Sequence, residues 1–437
     1  MVSDIFRSTI LPILVVITSI LADGPWNDCL AQDPPALAVT TIDHRVRRPF
    51  PQHIRYAPGT IRPNHLGARE QDKIVADMYD RWKKKYVVPV KNKKSNGPTM
   101  YRVTGGRRKP RHTFSEGQGY GMMIVAIMAG HDPRAKSVFD GLWAFARAHP
   151  SRIDGRLMAY KVPAPRNQSN SAFDGDCDIA YGLLLAHRQW GSAGVINYRA
   201  EALTILDALL SSVIGPDSRL PMLGDWVKTN GRRYHQRTVR SSDIVPGHFR
   251  AFARDGNPDA WLQVLAASQA MVALIQSEVS PSTGLMPDFI VPRSRSDPRP
   301  KPAPRYFLEG THDGRYYYNA ARVPWRIGTD ALVNGDPLSL AQTRKMAAWI
   351  VKATSGNPRL IKPGYRLDGR PLRAKPYFSK AFVAPFGVAA MTNPELQEFL
   401  NRTFDLIKNS AQDYYEDSLG LLCMLVMTRN FWDPKDR

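Results

Sequence analysis

Cysteine is scarce in this chain of 437 residues, with three in all, Cys29, Cys177 and Cys423. The last two sit inside helix-like patterns, so no disulfide framework is expected and they read as small apolar fillers. No cysteine or histidine stands at metal-ligand spacing, so neither a metal centre nor another cofactor is expected. Alternating strand patterns are also scarce, which argues against an all-β architecture. Acidic residues are outnumbered, 39 against 60 Lys and Arg, leaving a net charge of +21. Much of that charge lies between residues 45 and 111, in RWKKKYVVPVKNKKSNG and RVTGGRRKPRH. Such density raises nucleic acid or an anionic surface as a partner. No nucleic-acid-binding motif accompanies it, so the basic stretch reads as a solvated face and no nucleic-acid partner is expected.

Long hydrophobic runs are missing too. The run STILPILVVITSILA, residues 8 to 22, is too short to span a bilayer comfortably. Arg7 precedes it and a small-residue stretch follows, so residues 1–31 read as a secretory signal cut after Ala22 or Ala31. A secreted or periplasmic protein without a lasting membrane span is the expectation. Hydrophobic residues make up 43% of the chain, enough for a large folded core.

Residues 32–65 are rich in proline, arginine and histidine without periodicity and read as a loosely ordered, basic lead-in. Beyond them apolar residues recur at helical spacing in twelve segments. These fall near 71–86, 115–130, 133–149, 174–191, 197–214, 241–255, 258–278, 319–334, 338–354, 381–391, 394–409 and 412–429. Short links within pairs and longer, glycine- and proline-rich links between them suggest six helical hairpins in a ring, although an open array would give the same pattern. One all-α domain over 66–437, acting as a monomer, is expected.

Three clusters carry polar chemistry. In HTFSEGQGYGMMIVAIMAG, residues 112–130, Ser115 and Gln118 fit a capping box that puts Glu116 in the first turn of a helix. Gly117, Gly119 and Gly121 then each cost about 1 kcal/mol relative to alanine. The preferred reading is that a large substrate lies against bare backbone beside Glu116; the other is that the glycines allow close helix packing while Glu116 complements the helix dipole. In SAFDGDCDIAYGLLLAHRQWG, residues 171–191, Asp174, Asp176 and Asp178 crowd a helix start, and only Asp174 is taken as a substrate contact, since such acids are often caps. Tyr160, Trp226, Tyr316, Tyr317 and Tyr318 lie on loop-like stretches and offer flat rings on which sugars stack.

With these residues in hand, the chain resembles glycoside hydrolase family 8 over roughly residues 66 to 432. FSEGQGYGMM, SAFDGDCDIAYGLLLAHRQWG, LGDW, TGLMPDF and YYYNAARVPWRI carry the resemblance, in the family's order. It implies an (α/α)6 barrel and an endo-acting enzyme that inverts the anomeric centre of a β-linked glucan, xylan or chitosan. By the same resemblance Glu116 is similar to the general acid, Asp174 to the aspartate that holds the sugar at the cleavage point, and Arg322 to an arginine supporting that subsite. Tyr160 stands where many members have a tryptophan platform, and Ile244 where an aromatic is common. Many members carry an aspartate base at the position of Asn319, and an amide cannot accept a proton from water. A subgroup with asparagine there is identified with a glutamate in the loop just upstream, which Glu309 in FLEGTHDG matches. Asp313, beside a glycine in a turn-like pair, reads as serving the backbone.

The resemblance implies a polysaccharide substrate. Endo-hydrolysis of β-1,4 bonds in cellulose-like or mixed-linkage β-glucan is expected ahead of chitosan, because a protein of +21 repels a polycation. A catalytically inactive carbohydrate-binding protein is the alternative of a different class, and retention of both Glu116 and Glu309 argues against it.

Overall fold

Helices that are apolar all round must be enclosed by protein, whereas helices with one apolar stripe can face water. The two kinds alternate here. The computed structural model describes residues 45–90, 99–165, 169–372 and 377–435; the signal expected at 1–31, with Cys29, lies outside the described residues. Within them twelve helices follow in order: α1 (Ala68–Tyr86), α2 (Ser115–Ile127), α3 (Ala135–Arg147), α4 (Phe173–Trp190), α5 (Tyr198–Ser212), α6 (Pro246–Asp255), α7 (Pro258–Glu278), α8 (Val323–Asn334), α9 (Pro337–Ala353), α10 (Lys380–Ala390), α11 (Gln397–Lys408) and α12 (Tyr414–Met427). All twelve expected helices are present. The largest late starts, by four or five residues, are α6 at Pro246 and α8 at Val323, each preceded by a 3-10 turn, Ser241–Asp243 and Ala320–Arg322. A proline in the first helical positions, Pro246 and Pro324, explains both starts, since its fixed φ and missing N–H suit only the first turn.

The even-numbered helices form a closed inner ring: α2 packs on α4, α4 on α6, α6 on α8, α8 on α10, α10 on α12, and α12 returns to α2. Each odd-numbered helix lies outside against an inner one, α3 on α2, α5 on α4, α7 on α6, α9 on α8, α11 on α10 and α1 on α12. The fold is therefore an (α/α)6 barrel. α2, α4, α10 and α12 are buried along almost their whole surface, while α1 and α11 bury one stripe. Cys177 and Cys423 are free thiols inside this core.

Chain direction sorts the connections by length. Links leaving inner helices are short, as at 256–257 and 335–336, whereas five of the six links into them are long, over 87–114, 148–172, 213–245, 279–322 and 354–379, with 409–413 the short exception. Among the described residues the long ones carry seven strands. β1 (Val87–Val90) pairs with β2 (Met100–Val103), and β3 (Thr113–Phe114) with β4 (Lys161–Val162); β5 (Val239–Arg240), β6 (Phe289–Pro292) and β7 (Pro300–Pro302) form one sheet. The long links are thus gathered at the end where the inner helices begin.

The opposite end is covered by residues 45–66, and the expectation of a loosely ordered lead-in does not hold there. The backbone N–H groups of Arg47, Phe50, Ile54, Ala57 and Ile61 donate to the carbonyls of Gln189, Ala129, Arg429, Leu332 and Met391. Those carbonyls lie at the C-terminal ends of α4, α2, α12, α8 and α10, where the last turns of a helix have no internal donor. A segment without periodicity is ordered because it satisfies them.

The glycines of α2 serve packing. A Cβ at Gly119 would lie 2.6 Å from the Asp178 Cβ, one at Gly121 2.6 Å from Val103 Cγ2, and one at Gly117 3.2 Å from the Tyr414 ring. The preferred reading, a substrate against bare backbone, is corrected accordingly. The capping box is not formed either: Phe114 is the N-cap, and Gln118 accepts from Val103 N at 3.0 Å and donates to Leu142 O at 2.8 Å, tying α2 to β2 and α3. Across the same crossing, a Cβ at Gly175 would meet Ser115 Oγ at 2.1 Å and Ser115 backbone carbon at 2.7 Å. Gly175→Ala is expected to lose about 1–3 kcal/mol of stability, read from urea denaturation midpoints, because neither helix can move without disturbing the ring.

Candidate active site

Because the inner helices start at one end, residues far apart in sequence meet there. Glu116 is the second residue of α2, Asp174 the second of α4, Arg322 the last before α8, and Tyr414 and Tyr415 open α12. Arg322 is buried to 2% exposure at the centre. Its Nη1 donates to Glu116 Oε2 at 2.6 Å and to Asp174 Oδ2 at 2.8 Å, and its Nη2 to Asn319 Oδ1 at 2.9 Å.

Asn319 passes the contact on. Its Nδ2 donates to Glu309 Oε2 at 2.9 Å and to Asp288 Oδ2 at 3.4 Å. The amide is therefore oriented unambiguously, oxygen toward the guanidinium and nitrogen toward two carboxyl groups. An aspartate at this position would set a third carboxyl against those two. Asp288 also accepts the backbone N–H groups of Tyr317 at 2.9 Å and Ala320 at 2.8 Å, which fixes the turn that presents Asn319.

Glu309 sits on a loop with its side chain 49% exposed. Asp313 lies beneath that loop, 3% exposed, accepting from the backbone N–H of Leu308 at 2.7 Å, Glu309 at 3.0 Å and Gly310 at 2.8 Å. Its carboxylate is spent on the backbone, whereas that of Glu309 stays half-exposed and is held only by side chains, Asn319 and Arg240. Arg240, at the end of β5, reaches Glu309 Oε1 at 3.5 Å and Asp174 Oδ1 at 3.6 Å.

The electrostatics separate the two carboxyls joined through Arg322. Burial pushes Glu116 up to about 7, and Asp174 adds to the rise while Arg322 opposes it. Burial outweighs the helix N-terminus, which alone favours the anion. Burial would also raise Asp174, but Arg240 and Arg322 together hold it below its ordinary value. The site thus holds one carboxyl that keeps its proton near neutrality beside one that stays ionised.

Asp176 and Asp178 face elsewhere. Asp176 accepts from Met158 N at 2.7 Å, and Asp178 takes both Arg326 nitrogens, at 2.8 and 2.6 Å, with His248 at 3.0 Å. Of the expected ring platforms, Tyr160, Trp226, Tyr317 and Tyr318 are half-buried along the loops, whereas Tyr316 is fully buried against Phe382 and Phe386 and belongs to the core. Trp226 stands edge to face with Tyr234 at 5.1 Å, which meets Phe307 at 5.1 Å; Tyr318 Oη bonds Tyr377 Oη at 2.7 Å. Ile244 is fully buried and adds no surface for a sugar. Sequence reasoning missed Arg240, Asp243 and Asp288; Asp288 lay within the motif TGLMPDF, but only the fold brings it to Asn319. Among the described residues no three His, Cys, Asp or Glu side chains converge as a metal site would need.

A family model described as glycosyl hydrolases family 8 matches residues 68–429. A protein named beta-glucanase from Niallia circulans is 40% identical over 389 residues, spanning 88% of this chain and 91% of its own length. An endoglucanase from Bacillus sp. (strain KSM-330) is 40% identical over 397 residues, spanning 89% of this chain and 82% of its own. The apo structure of a beta-1,3-1,4-glucanase from Paenibacillus sp. X4 superposes with a TM-score of 0.82 at 39% identity, covering 89% of this chain and 99% of that one.

Proposed function

The chain belongs to glycosyl hydrolases family 8, and from that membership we propose that it is an endo-β-glucanase cutting β-1,4 bonds in cellulose-like or mixed-linkage glucan with inversion at the anomeric carbon. The observation that carries the reading is the run of contacts from Glu116 through Arg322 and Asn319 to Glu309. Glu116, protonated near neutral pH, gives its proton to the departing glycosidic oxygen. Glu309 takes a proton from a water that attacks the anomeric carbon from the opposite face. An inverting pair needs roughly 6.5 to 9.5 Å between its carboxyls, and a guanidinium and an amide interposed between them suit that spacing better than the closer one of a retaining pair. Asp174, kept ionised by its two arginines, would accept hydroxyl hydrogen bonds from the sugar at the cleavage point, and Tyr160, Trp226 and Tyr318 offer rings to flanking sugars.

Local charge supports glucan over chitosan. Asp174 and Glu309 each already lie beside a guanidinium, so the cleft floor has no surplus of negative charge with which to hold a polycation. The mixed-linkage relative from Paenibacillus supports the glucan class. Export belongs to the same proposal, and the apolar run at residues 8–22 supports it. Reducing-sugar release from mixed-linkage glucan, carboxymethyl cellulose, xylan and chitosan tests the reading. The two glucans are expected to be cut fastest; chitosan as the sole polymer degraded would overturn the substrate assignment, and no release from any would favour a carbohydrate-binding protein without activity.

A further inference from the structure

Arg240, which helps to keep Asp174 ionised, also makes contacts with Glu309 and Asp243 to which the reaction above assigns no step. Its side chain is 11% exposed, and its guanidinium lies 5.5 Å from the centre of the Phe289 ring. Nη1 faces Asp174 Oδ1 at 3.6 Å and Asp243 Oδ1 at 3.8 Å, and Nη2 faces Glu309 Oε1 at 3.5 Å. A closed circuit results: Glu116 to Arg322, Arg322 to Asp174, Asp174 to Arg240, Arg240 to Glu309, and Glu309 through Asn319 back to Arg322. Within it Asn319 secures one oxygen of Glu309, Oε2, and leaves rotation about the carboxyl axis unopposed on the other side. A half-exposed glutamate on a loop needs a second contact to keep one oxygen aimed at water, and for Oε1 Arg240 supplies it.

We propose that Arg240 is the positioning residue of the general base, fixing the Glu309 carboxylate and supplying the positive charge against which it works. The inference rests on Glu309 being that base. Asp243 is the second element of the device. It lies under Arg240, fully buried, with Oδ2 lacking a hydrogen-bond partner. Burial pushes its carboxyl up to about 8 against the pull of Arg240, so near neutrality it is uncharged. The charge of Arg240 is then directed at Asp174 and Glu309 and not consumed below. The groups facing Arg240 are Asp174 from α4, Asp243 from the turn before α6, Glu309 from its loop and Arg322 from the start of α8. Those facing Glu309 are Arg240, Asn319 and Asp288.

Steady-state kinetics on Arg240→Gln across pH test the proposal. The variant is expected to lose about 100-fold in kcat with KM within about threefold of the parent. The acid limb of its kcat/KM profile is expected to move to higher pH, because Asp174, which Arg240 helps to hold below its ordinary value against burial, is protonated more readily without that cation. Guanidine hydrochloride at millimolar concentration is expected to restore part of kcat. Arg240→Lys keeps the charge but not both contacts, so an intermediate kcat with an unmoved acid limb is expected. A kcat for Arg240→Gln near the parental value, or a loss of kcat with the acid limb in place and no rescue, overturns the proposal. Should Arg240→Gln fail to fold, Arg240→Lys decides, and a parental kcat there is equally fatal. Glu309→Gln assayed in parallel separates the two assignments: if that variant stays active, the choice of base has failed, whatever Arg240→Gln does.

Discussion

Glu116→Gln is expected to leave a protein that folds and binds glucan but turns it over roughly a thousandfold more slowly, within the range that a positioned acid supplies. Glutamine preserves the shape of the side chain and an oxygen for Arg322, which donates at 2.6 Å to the parental carboxyl. It has no acidic proton to pass to the leaving oxygen. The deficit should shrink on an aryl glycoside whose leaving group departs without protonation. The pH profile gives a second reading. Because burial pushes Glu116 up to about 7, kcat/KM of the parent falls as pH rises through that value and the carboxyl loses its proton. The variant is expected to lack this alkaline limb. Polymer hydrolysis within about tenfold of the parent would remove Glu116 from the general-acid role.

Glu309→Gln is expected to cost a comparable factor, about a thousandfold in kcat, since inversion proceeds without a covalent intermediate and depends on its base. Neighbouring substitutions distinguish chemistry from scaffolding. Asp313→Asn removes one of the acceptor oxygens that serve three backbone N–H groups, so the loop loosens and kcat drops about tenfold. Asn319→Asp alone sets a carboxyl beside Glu309 and Asp288, at present 2.9 and 3.4 Å from the amide nitrogen, and is expected to slow the enzyme. In the Glu309→Gln background that clash is halved, and the new carboxylate lies close to the position of the lost one. The double variant is expected to regain about tenfold over Glu309→Gln. Loss of activity in Asp313→Asn with an unimpaired Glu309→Gln would transfer the base to Asp313.

How much of this was legible in the sequence differs by level. The helices were, because an apolar period of 3.6 survives in outer ones such as α1 and α11 and inner ones such as α2 and α10 read as long apolar runs; ends were misjudged where a proline dictated the start, as at α6 and α8. Closure of the ring was not, since contact between α12 and α2 leaves no periodic trace. The lead-in was misread because its order comes from carbonyls of helices elsewhere in the chain, at Gln189, Ala129 and Arg429 among others. In α2 the glycines announced a close approach, but only the crossing with α4 reveals that the approaching body is another helix. Glu116, Asp174, Arg322 and Glu309 were reached through motifs, whereas Arg240 and Asp243 sit in a short strand and a turn with no pattern of their own, and Asp288, though inside TGLMPDF, gains its neighbours from the fold alone.

Azide added to Glu309→Ala during hydrolysis of mixed-linkage β-glucan tests the central claim most directly. The substitution removes the base and opens space for a small anion that needs no deprotonation, while Glu116 remains to protonate the leaving oxygen. Formation of an α-glycosyl azide, inverted relative to the β-linked substrate and identified by proton NMR, is the result predicted by an inverting reaction with Glu309 as base. A β-glycosyl azide, or activity in Glu309→Ala that needs no azide at all, would contradict it.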